Sequence, residues 1–444
     1  MPFKIPSTPP ALHHLLQAIE PARLGRVFSG FYPVYTDKNY RHWDELIHFS
    51  PPGDLTREEW WAGMKLARTA LYQAVPLCDT EKHFFQFLVT ESMTEQLHRI
   101  DLGAGENVGV PGPVINPETR DQYYVSSLLE EAITSSQLEG ATTTREVPKE
   151  MIRTARRPQD RSERMIHNNY LTMQHIGKLK KEPLSEEFVF DLHRLVTQGT
   201  LEKPDAAGRF RNEDGEIVVQ DVEGRVMHKP PQSQELSGRM KALCDFANGK
   251  TPEGFVHPVL RSIILHFWLA YDHPFVDGNG RTARALFYWS MLHQGYWLCE
   301  FVSISRIILQ ARIKYSRVFL YTESDGNDLT YFLLYHIEVL RRAVEELHTY
   351  IHKRAKKLEA AERKMQGMTT FNHRQRALLT HAMRHPNNRY TIEGHRSSHN
   401  VVYQTARNDL RQLAESGVMD AKKSGQTWYF TPRPNLEALL AHPR

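Results

Sequence analysis

The chain has 444 residues, of which 40% are apolar and 24% charged, and this balance excludes an intrinsically disordered protein. Its net charge of +4 permits a module that binds polyanions but does not require one. The three cysteines are scattered, which argues against a disulfide framework and against a structural zinc site. Neither a signal peptide nor a membrane-spanning apolar run is recognisable, so we expect a soluble cytoplasmic protein without a membrane partner.

Helical periodicity dominates the chain and predicts a mostly α fold. Ser135 and Glu139 lie four residues apart at the end of an apolar-patterned segment, so they share one helical face, and Gly140 can end that helix. Such a pair, taken alone, is typical of a solvated helix surface.

The clearest strand signal runs from Ile217 to His228. Two short β-type runs flank Glu223 and Gly224, and Pro230 follows directly. The pattern predicts a single β-hairpin in the middle of the chain.

A glycine-containing loop follows the hairpin. The apolar face that starts at Leu260 predicts a helix ending at His273, because Pro274 disfavours helix at the residue before it. The run from Asp277 to Arg281 then places two glycines around Asn279, which allows backbone N–H groups to converge on an anion. A second helix is predicted from Arg281 onward, so the loop leads into a helix N-terminus that favours phosphate.

The side chains around this loop suit phosphoryl-type chemistry. Arg281 and Arg284 are three residues apart and can both reach phosphate oxygens. Asp277 offers the hard oxygen ligand that Mg²⁺ prefers, and a neutral His273 could take a proton from a hydroxyl. The glycine patterns of P-loop and dinucleotide-binding proteins are absent from the sequence.

The segment His-Pro-Phe-Val-Asp-Gly-Asn-Gly-Arg-Thr-Ala-Arg, residues 273–284, resembles the Fic motif at every defined position. The resemblance implies a protein adenylyltransferase that moves AMP from ATP to a Ser, Thr or Tyr hydroxyl of a target protein. It implies that His273 is the general base, that Asp277 holds Mg²⁺, and that Arg281 and Arg284 contact the β- and γ-phosphates. The residues implied to bind the α- and β-phosphates are Gly278, Asn279 and Gly280. Related Doc-type kinases carry Lys in this loop, so phosphate transfer is less favoured.

The segment from Ser135 to Gly140 resembles the inhibitory motif of the same family, Ser/Thr-x-x-x-Glu-Gly/Asn. The resemblance implies that Glu139 forms a bidentate pair with Arg284 and so takes the arginine that the γ-phosphate needs. In some family members the same glutamate positions a water that removes AMP, and the sequence does not separate these two roles. A homodimer is a further expectation, since such inhibition is often linked to assembly.

The resemblance predicts a domain order. An N-terminal helical region is expected over residues 1–115, and a Fic catalytic domain over 116–350 with the inhibitory helix at about 121–140. The target protein is expected to add a strand to the hairpin 217–228, a flap before the motif. A helical linker is predicted over 351–370.

Residues 371–434 resemble a winged helix-turn-helix domain, with three helices and a two-stranded wing around Ser424. Basic side chains on the third helix and on the wing could meet DNA phosphates: Arg407, Arg411, Lys422 and Lys423. Asp409 and Glu415 dilute that basic face, so a protein partner is the alternative. A DNA-binding regulator with a nucleotide-sensing core is therefore a third functional hypothesis.

Overall fold

The computed structural model describes residues 4–29, 40–104, 117–154, 156–212, 219–220, 224–366, 370–424 and 426–441. These residues are mostly helical, which confirms the predicted fold class. The helices before the loop are α1 (Leu12–Ala18), α2 (Pro21–Ser29), α3 (Trp43–Leu46), α4 (Arg57–Thr69), α5 (Glu91–Ala104), α6 (Pro117–Leu138), α7 (Glu146–Thr154), α8 (Arg161–Leu179), α9 (Glu186–Thr197), α10 (Leu236–Ala247) and α11 (Pro258–Asp272). The helices after it are α12 (Asn279–His293), α13 (Ile304–Gln310), α14 (Arg312–Ser324), α15 (Thr330–Gln366), α16 (His373–Arg384), α17 (Ile392–His399), α18 (Tyr403–Glu415) and α19 (Leu436–Ala441).

The chain divides into two compact units, residues 1–108 with 127–344 and residues 109–126 with 345–444. The division after Val344 falls inside α15, which runs unbroken to Gln366. Most of the predicted linker 351–370 is therefore the end of a long helix, and residues 367–369 lie outside the described part. None of the helices in the described ranges is long and apolar enough to cross a membrane.

The centre of the first unit is the pair of helices α11 and α12. Leu260, Ile263, Ile264 and Phe267 are buried as the apolar pattern predicts, and the neighbouring Trp268 is buried too. Helix α11 is thus buried on all sides rather than on one face, since Arg261, Ser262, Leu265 and His266 between these positions are buried as well. His273 and the glycine loop therefore follow directly after a buried helix.

The structure contains a hairpin nearer the N-terminus that the sequence did not predict. Strands β1 (Gln73–Cys78) and β2 (Phe84–Phe87) form an additional antiparallel hairpin. The Gln86 backbone also bonds to the carbonyl of Asn327 and the amide of Leu329, at 3.0 and 2.8 Å. This pairing joins segments far apart in sequence, so the local pattern carries no sign of it.

The predicted mid-chain hairpin is present where its residues are described. Strands β3 (Val219–Gln220) and β4 (Val226–His228) pair antiparallel, with Val219 opposite His228. The predicted turn residue Glu223 and the first strand residue Ile217 lie outside the described part.

The second unit contains helices α16, α17 and α18 and a three-stranded sheet in the order β5-β7-β6. Its strands are β5 (Tyr390–Thr391), β6 (Met419–Ser424) and β7 (Thr427–Pro432). Leu379, Ala406, Leu410 and Phe430 are buried in its core. The assignment to the winged-helix class stays a prediction.

Candidate active site

His273 sits at the junction between helix and loop. The residue has a left-handed backbone, φ 45°, and ends α11 because Pro274 follows. Its carbonyl oxygen accepts a hydrogen bond from Arg211 Nε at 2.9 Å, which fixes the turn. Burial, with the positive charge of His228 as a second cause, lowers the pKa of His273 to about 4. The imidazole is therefore neutral at physiological pH and able to accept a proton.

The side chain of Asn279 closes the loop after His273 by bonding to the Phe275 backbone. Asn279 Oδ1 accepts from the Phe275 amide at 2.9 Å, and Asn279 Nδ2 donates to the Phe275 carbonyl at 2.8 Å. The Asn279 side chain thus holds the loop, and only its backbone is left to face a phosphate. Gly278 has φ +87°, and a β-carbon there would lie 2.6 Å from Thr197 Cγ2, so the tight turn needs glycine.

Helix α12 begins at Asn279, two residues earlier than the sequence predicts. Gly278 caps it without any side-chain hydrogen bond to the first turn. The amides of the first turn have no carbonyl partner within the helix. Together with the helix dipole, these amides make the loop an anion site.

His193 is a loop-supporting residue that sequence analysis missed. Its ring stacks on Phe275 with centroids 3.8 Å apart. Nδ1 accepts from the Gly208 amide at 2.9 Å, so Nε2 is the donor to the Asp277 carbonyl at 2.8 Å. Burial lowers the pKa of His193 to about 4, which keeps this neutral tautomer. The contact spans 84 residues of sequence, and no local pattern indicates it.

Arg281 is buried beneath the loop, and not all of its N–H donors are used. One terminal nitrogen donates to the Val196 carbonyl at 3.0 Å. Nε and the other terminal nitrogen have no hydrogen-bond partner among the described residues, and Asp277 Oδ1 is 3.8 Å away. Burial lowers the pKa of Arg281. A buried guanidinium with unused donors is the arrangement that an anionic ligand would satisfy.

Arg284 contacts both predicted inhibitory residues of α6. Its Nε donates to Ser135 Oγ at 2.8 Å, and one terminal nitrogen donates to the Ser135 carbonyl at 3.0 Å and to Glu139 Oε1 at 2.9 Å. The predicted bidentate Glu139–Arg284 pair was wrong in its geometry: Glu139 accepts through Oε1 from one terminal nitrogen, and Arg284 Nε donates to Ser135 instead. Burial raises the pKa of Glu139, but the charge and hydrogen bond of Arg284 outweigh it, so the pKa is lowered.

The Glu139 carboxylate also lies directly over the loop. A β-carbon placed on Gly280 would collide with Glu139 Oε1. The carboxylate therefore lies beside the first turn of α12, where the amides of that turn favour a phosphate.

A second contact, which sequence analysis missed, holds α6 against α12. Glu131, one turn before Ser135, is buried and accepts from Tyr288 Oη and Ser303 Oγ, both at 2.8 Å. The Ser305 amide and hydroxyl also donate to it. Since Tyr288 lies one turn after Arg284, the two helices meet at two successive turns, and this fixes the register of α6.

Asp277 lies at the mouth of the loop, with its side chain 41% exposed and 3.2 Å from an Arg161 terminal nitrogen. Its Oδ1 accepts from the Gly278 amide at 2.5 Å. The described residues contain no group of three or more side chains placed to hold a metal ion. A single carboxylate nevertheless suits Mg²⁺, which commonly takes one or two carboxylates and completes its shell with substrate phosphates and water.

Comparison with known proteins places this loop in a family. Residues 183–291 match the family model described as Fic/DOC family. The fold is similar to that of a Fic family protein from Desulfovibrio desulfuricans, with a TM-score of 0.51 and 19% identity over 78% of this chain and 97% of that one. Residues 183–291 are a Fic domain. Hence the whole motif from His273 to Arg284, and the flap before it, lie within the Fic domain, whereas Ser135 and Glu139 precede the matched segment.

Curated relatives that match part of this chain are named for their activity. The protein adenylyltransferase Fic of Nematostella vectensis is 34% identical over 117 residues, 26% of this chain and 25% of the relative. That of Drosophila willistoni is 30% identical over 128 residues, 28% of this chain and 24% of the relative. The match thus spans about a quarter of these relatives' length.

Proposed function

We propose that the chain is a protein adenylyltransferase that transfers AMP from ATP to a Ser, Thr or Tyr hydroxyl of a target protein. The observation that carries the proposal is a neutral His273 at the start of a loop whose helix N-terminus and buried Arg281 present unused donors. A base beside an anion cradle is what attack by a hydroxyl on a phosphate requires.

In the proposed reaction the ATP phosphates lie on the first-turn amides of α12, with Arg281 directed to the β-phosphate. His273 takes the proton of the acceptor hydroxyl, whose oxygen forms the bond to the α-phosphorus. The bond from that phosphorus to the bridging oxygen breaks, and diphosphate leaves with the electron pair. Mg²⁺, when bound at Asp277, would neutralise phosphate charge.

Autoinhibition is the second part of the proposal. Arg284 is held by Ser135 and Glu139, so it is not available to the γ-phosphate until the Glu139 carboxylate moves away. Without that contact the α-phosphate would not be aligned with the attacking hydroxyl. A homodimer and a cytoplasmic location stay predictions from sequence.

The position of a radioactive label distinguishes AMP transfer from phosphate transfer. We expect the Glu139→Gly variant to incorporate label into protein from ATP labelled on the α-phosphate and none from ATP labelled on the γ-phosphate. Incorporation from γ-labelled ATP alone would indicate a kinase of the Doc type and contradict the proposal.

Removal of AMP is the alternative use of the same site. The Glu139 side chain is 29% exposed, and Arg284 engages its Oε1 atom, which is compatible with a carboxylate that positions a water. Mg²⁺-dependent release of AMP from a modified protein, lost in Glu139→Gly, would favour this alternative over inhibition.

We further propose that the second unit binds the phosphate backbone of DNA. Residues 371–434 contain ten Lys and Arg against four Asp and Glu, a net charge of +6, whereas the whole chain carries +4. Asp409 does not dilute the basic face of α18: it is buried and accepts from Arg374 Nε at 2.7 Å and from Asn372 Nδ2 at 2.7 Å. Arg411 on α18 is exposed to solvent.

Replacing two exposed cations should test DNA binding. We expect Arg411→Ala with Lys422→Ala to weaken binding to duplex DNA of any sequence and to reduce the slope of log K against log salt by about 2, since each phosphate contact contributes about 0.9. Fluorescence anisotropy at several salt concentrations measures both the affinity for DNA and its salt dependence. Lys181→Ala with Lys241→Ala removes two exposed charges from the first unit as a control. Equal binding by wild type and the Arg411 variant would sink this proposal.

A further inference from the structure

The last residue of flap strand β4, His228, is hydrogen-bonded through both ring nitrogens. Nδ1 is 2.8 Å from Glu323 Oε2 on α14, and Nε2 is 2.7 Å from the Tyr271 carbonyl oxygen on α11. The side chain is 9% exposed, and its ring packs against the Tyr271 ring with centroids 4.6 Å apart. The flap therefore contacts the helix that ends at the base.

Both partners of His228 are acceptors, and this fixes its charge. A carboxylate and a carbonyl oxygen cannot donate, and a neutral imidazole has a single N–H group. Only the imidazolium, with a proton on each nitrogen, makes both hydrogen bonds. The distances of 2.7 and 2.8 Å are those of charge-assisted bonds.

The surrounding charges agree with this geometry. Burial lowers the pKa of His228, but the hydrogen bond and charge of Glu323, the Tyr271 carbonyl and the charge of Asp272 outweigh it, so the pKa is raised above its ordinary value. Asp272 itself accepts from Arg239 Nε of α10 at 2.7 Å and from Trp268 Nε1 at 3.0 Å. Burial raises the pKa of the Tyr271 phenol, so it stays neutral, and His273 is neutral as well.

The hydrogen bond from His228 to Tyr271 matters because Tyr271 lies close to His273 in the chain. Tyr271 is two residues before His273, so the His228 bond ties β4 to the turn that carries the base. Arg211 ties the same turn to the chain after the flap, since it donates to both the His273 and Pro231 carbonyls. The end of the flap is thus tied to the turn at His273 by two contacts, one through His228 and one through Arg211.

We propose that His228 is a positioning residue: as an imidazolium it holds β4 against the end of the helix that carries His273, and so fixes where an acceptor strand added to the flap lies relative to the base. This inference deepens the proposed function and rests on it for the nature of the acceptor. The anchor is complete at low pH and loses one of its two hydrogen bonds as pH rises through the raised pKa of His228. Flap order, and with it acceptor alignment, should therefore decrease at alkaline pH.

Hydrogen–deuterium exchange of the full chain tests the anchor without any acceptor protein. We expect amides of the peptide covering residues 224–232, corrected for intrinsic rates, to exchange about ten- to a hundredfold faster in His228→Gln than in wild type at pH 6. The difference should become smaller at alkaline pH, where wild-type His228 loses one of its two hydrogen bonds. Glu323→Gln should move the wild-type transition down by about one pH unit or more, because an adjacent carboxylate favours the charged imidazole.

A matched control is His257→Gln, which removes a histidine 3.1 Å from Asp101 at the other end of α11 and should leave the flap unchanged. Equal exchange of wild type and His228→Gln at pH 6, or wild-type protection that does not change between pH 6 and 9, would overturn the inference. Absence of AMP transfer in Glu139→Gly with the protection switch intact would instead count against the proposed function and leave the flap anchor standing.

Discussion

Replacing Glu139 with glycine is expected to raise AMP transfer by at least about ten- to a hundredfold. The wild-type carboxylate takes an Arg284 donor at 2.9 Å and lies over Gly280, so we expect it to compete with the phosphates of ATP. A charge-assisted hydrogen bond is worth about 1.5–3 kcal/mol, which corresponds to this range in productive binding. Better alignment of the α-phosphate adds to the effect.

Two further variants isolate the cause of this increase. Glu139→Gln retains an oxygen that can accept from Arg284 but has no charge, so a smaller increase is expected. Glu202→Gly, at an exposed glutamate in a loop of the first unit, controls for the new glycine and should change nothing. Equal activity of Glu139→Gly and wild type, with ATP binding demonstrated, would contradict autoinhibition.

Replacing His273 with alanine in the Glu139→Gly background is expected to lower AMP transfer by about 10²–10⁴-fold, the usual contribution of a general base. ATP affinity should be nearly unchanged, because the imidazole accepts a proton and holds no phosphate. Initial rates of α-label incorporation and nucleotide titration measure the two quantities separately. His98→Ala, at an exposed histidine, is the control and should retain full activity.

The pH dependence gives a second test of the base. Because the pKa of His273 is lowered to about 4, the base stays neutral as pH falls from 8 to 5, and its protonation should reduce transfer only near pH 4. A histidine with an ordinary pKa would instead cause AMP transfer to fall near pH 6.5. A decline in AMP transfer centred near pH 6.5 in the Glu139→Gly variant would show that His273 is not held neutral.

The parts of this site that sequence could predict are those governed by neighbours along the chain. Pro274 ends α11 at Asp272, and glycine supplies the positive φ at position 278. The four-residue spacing of Ser135 and Glu139 places both on Arg284. The start of α12 was misplaced because the Asn279 side chain tightens the loop around Phe275, which no helix propensity describes.

The parts that could not be predicted depend on contacts between distant segments. His193 reaches the Asp277 carbonyl across 84 residues, and Glu131 reaches Tyr288 across 157. Each is an unremarkable member of a helical pattern in sequence and becomes functional only when the helices pack. Gln86 of β2 also bonds to Asn327 and Leu329, more than two hundred residues away, and no local pattern indicates this contact.

The most direct test of the central claim is incorporation of label from ATP labelled on the α-phosphate by three proteins: wild type, Glu139→Gly, and Glu139→Gly combined with His273→Ala. We predict little label on protein with wild type, strong label with Glu139→Gly, and a return to background when His273 is also replaced. Absence of label in all three, with ATP shown to bind, would contradict AMP transfer as the function of this site.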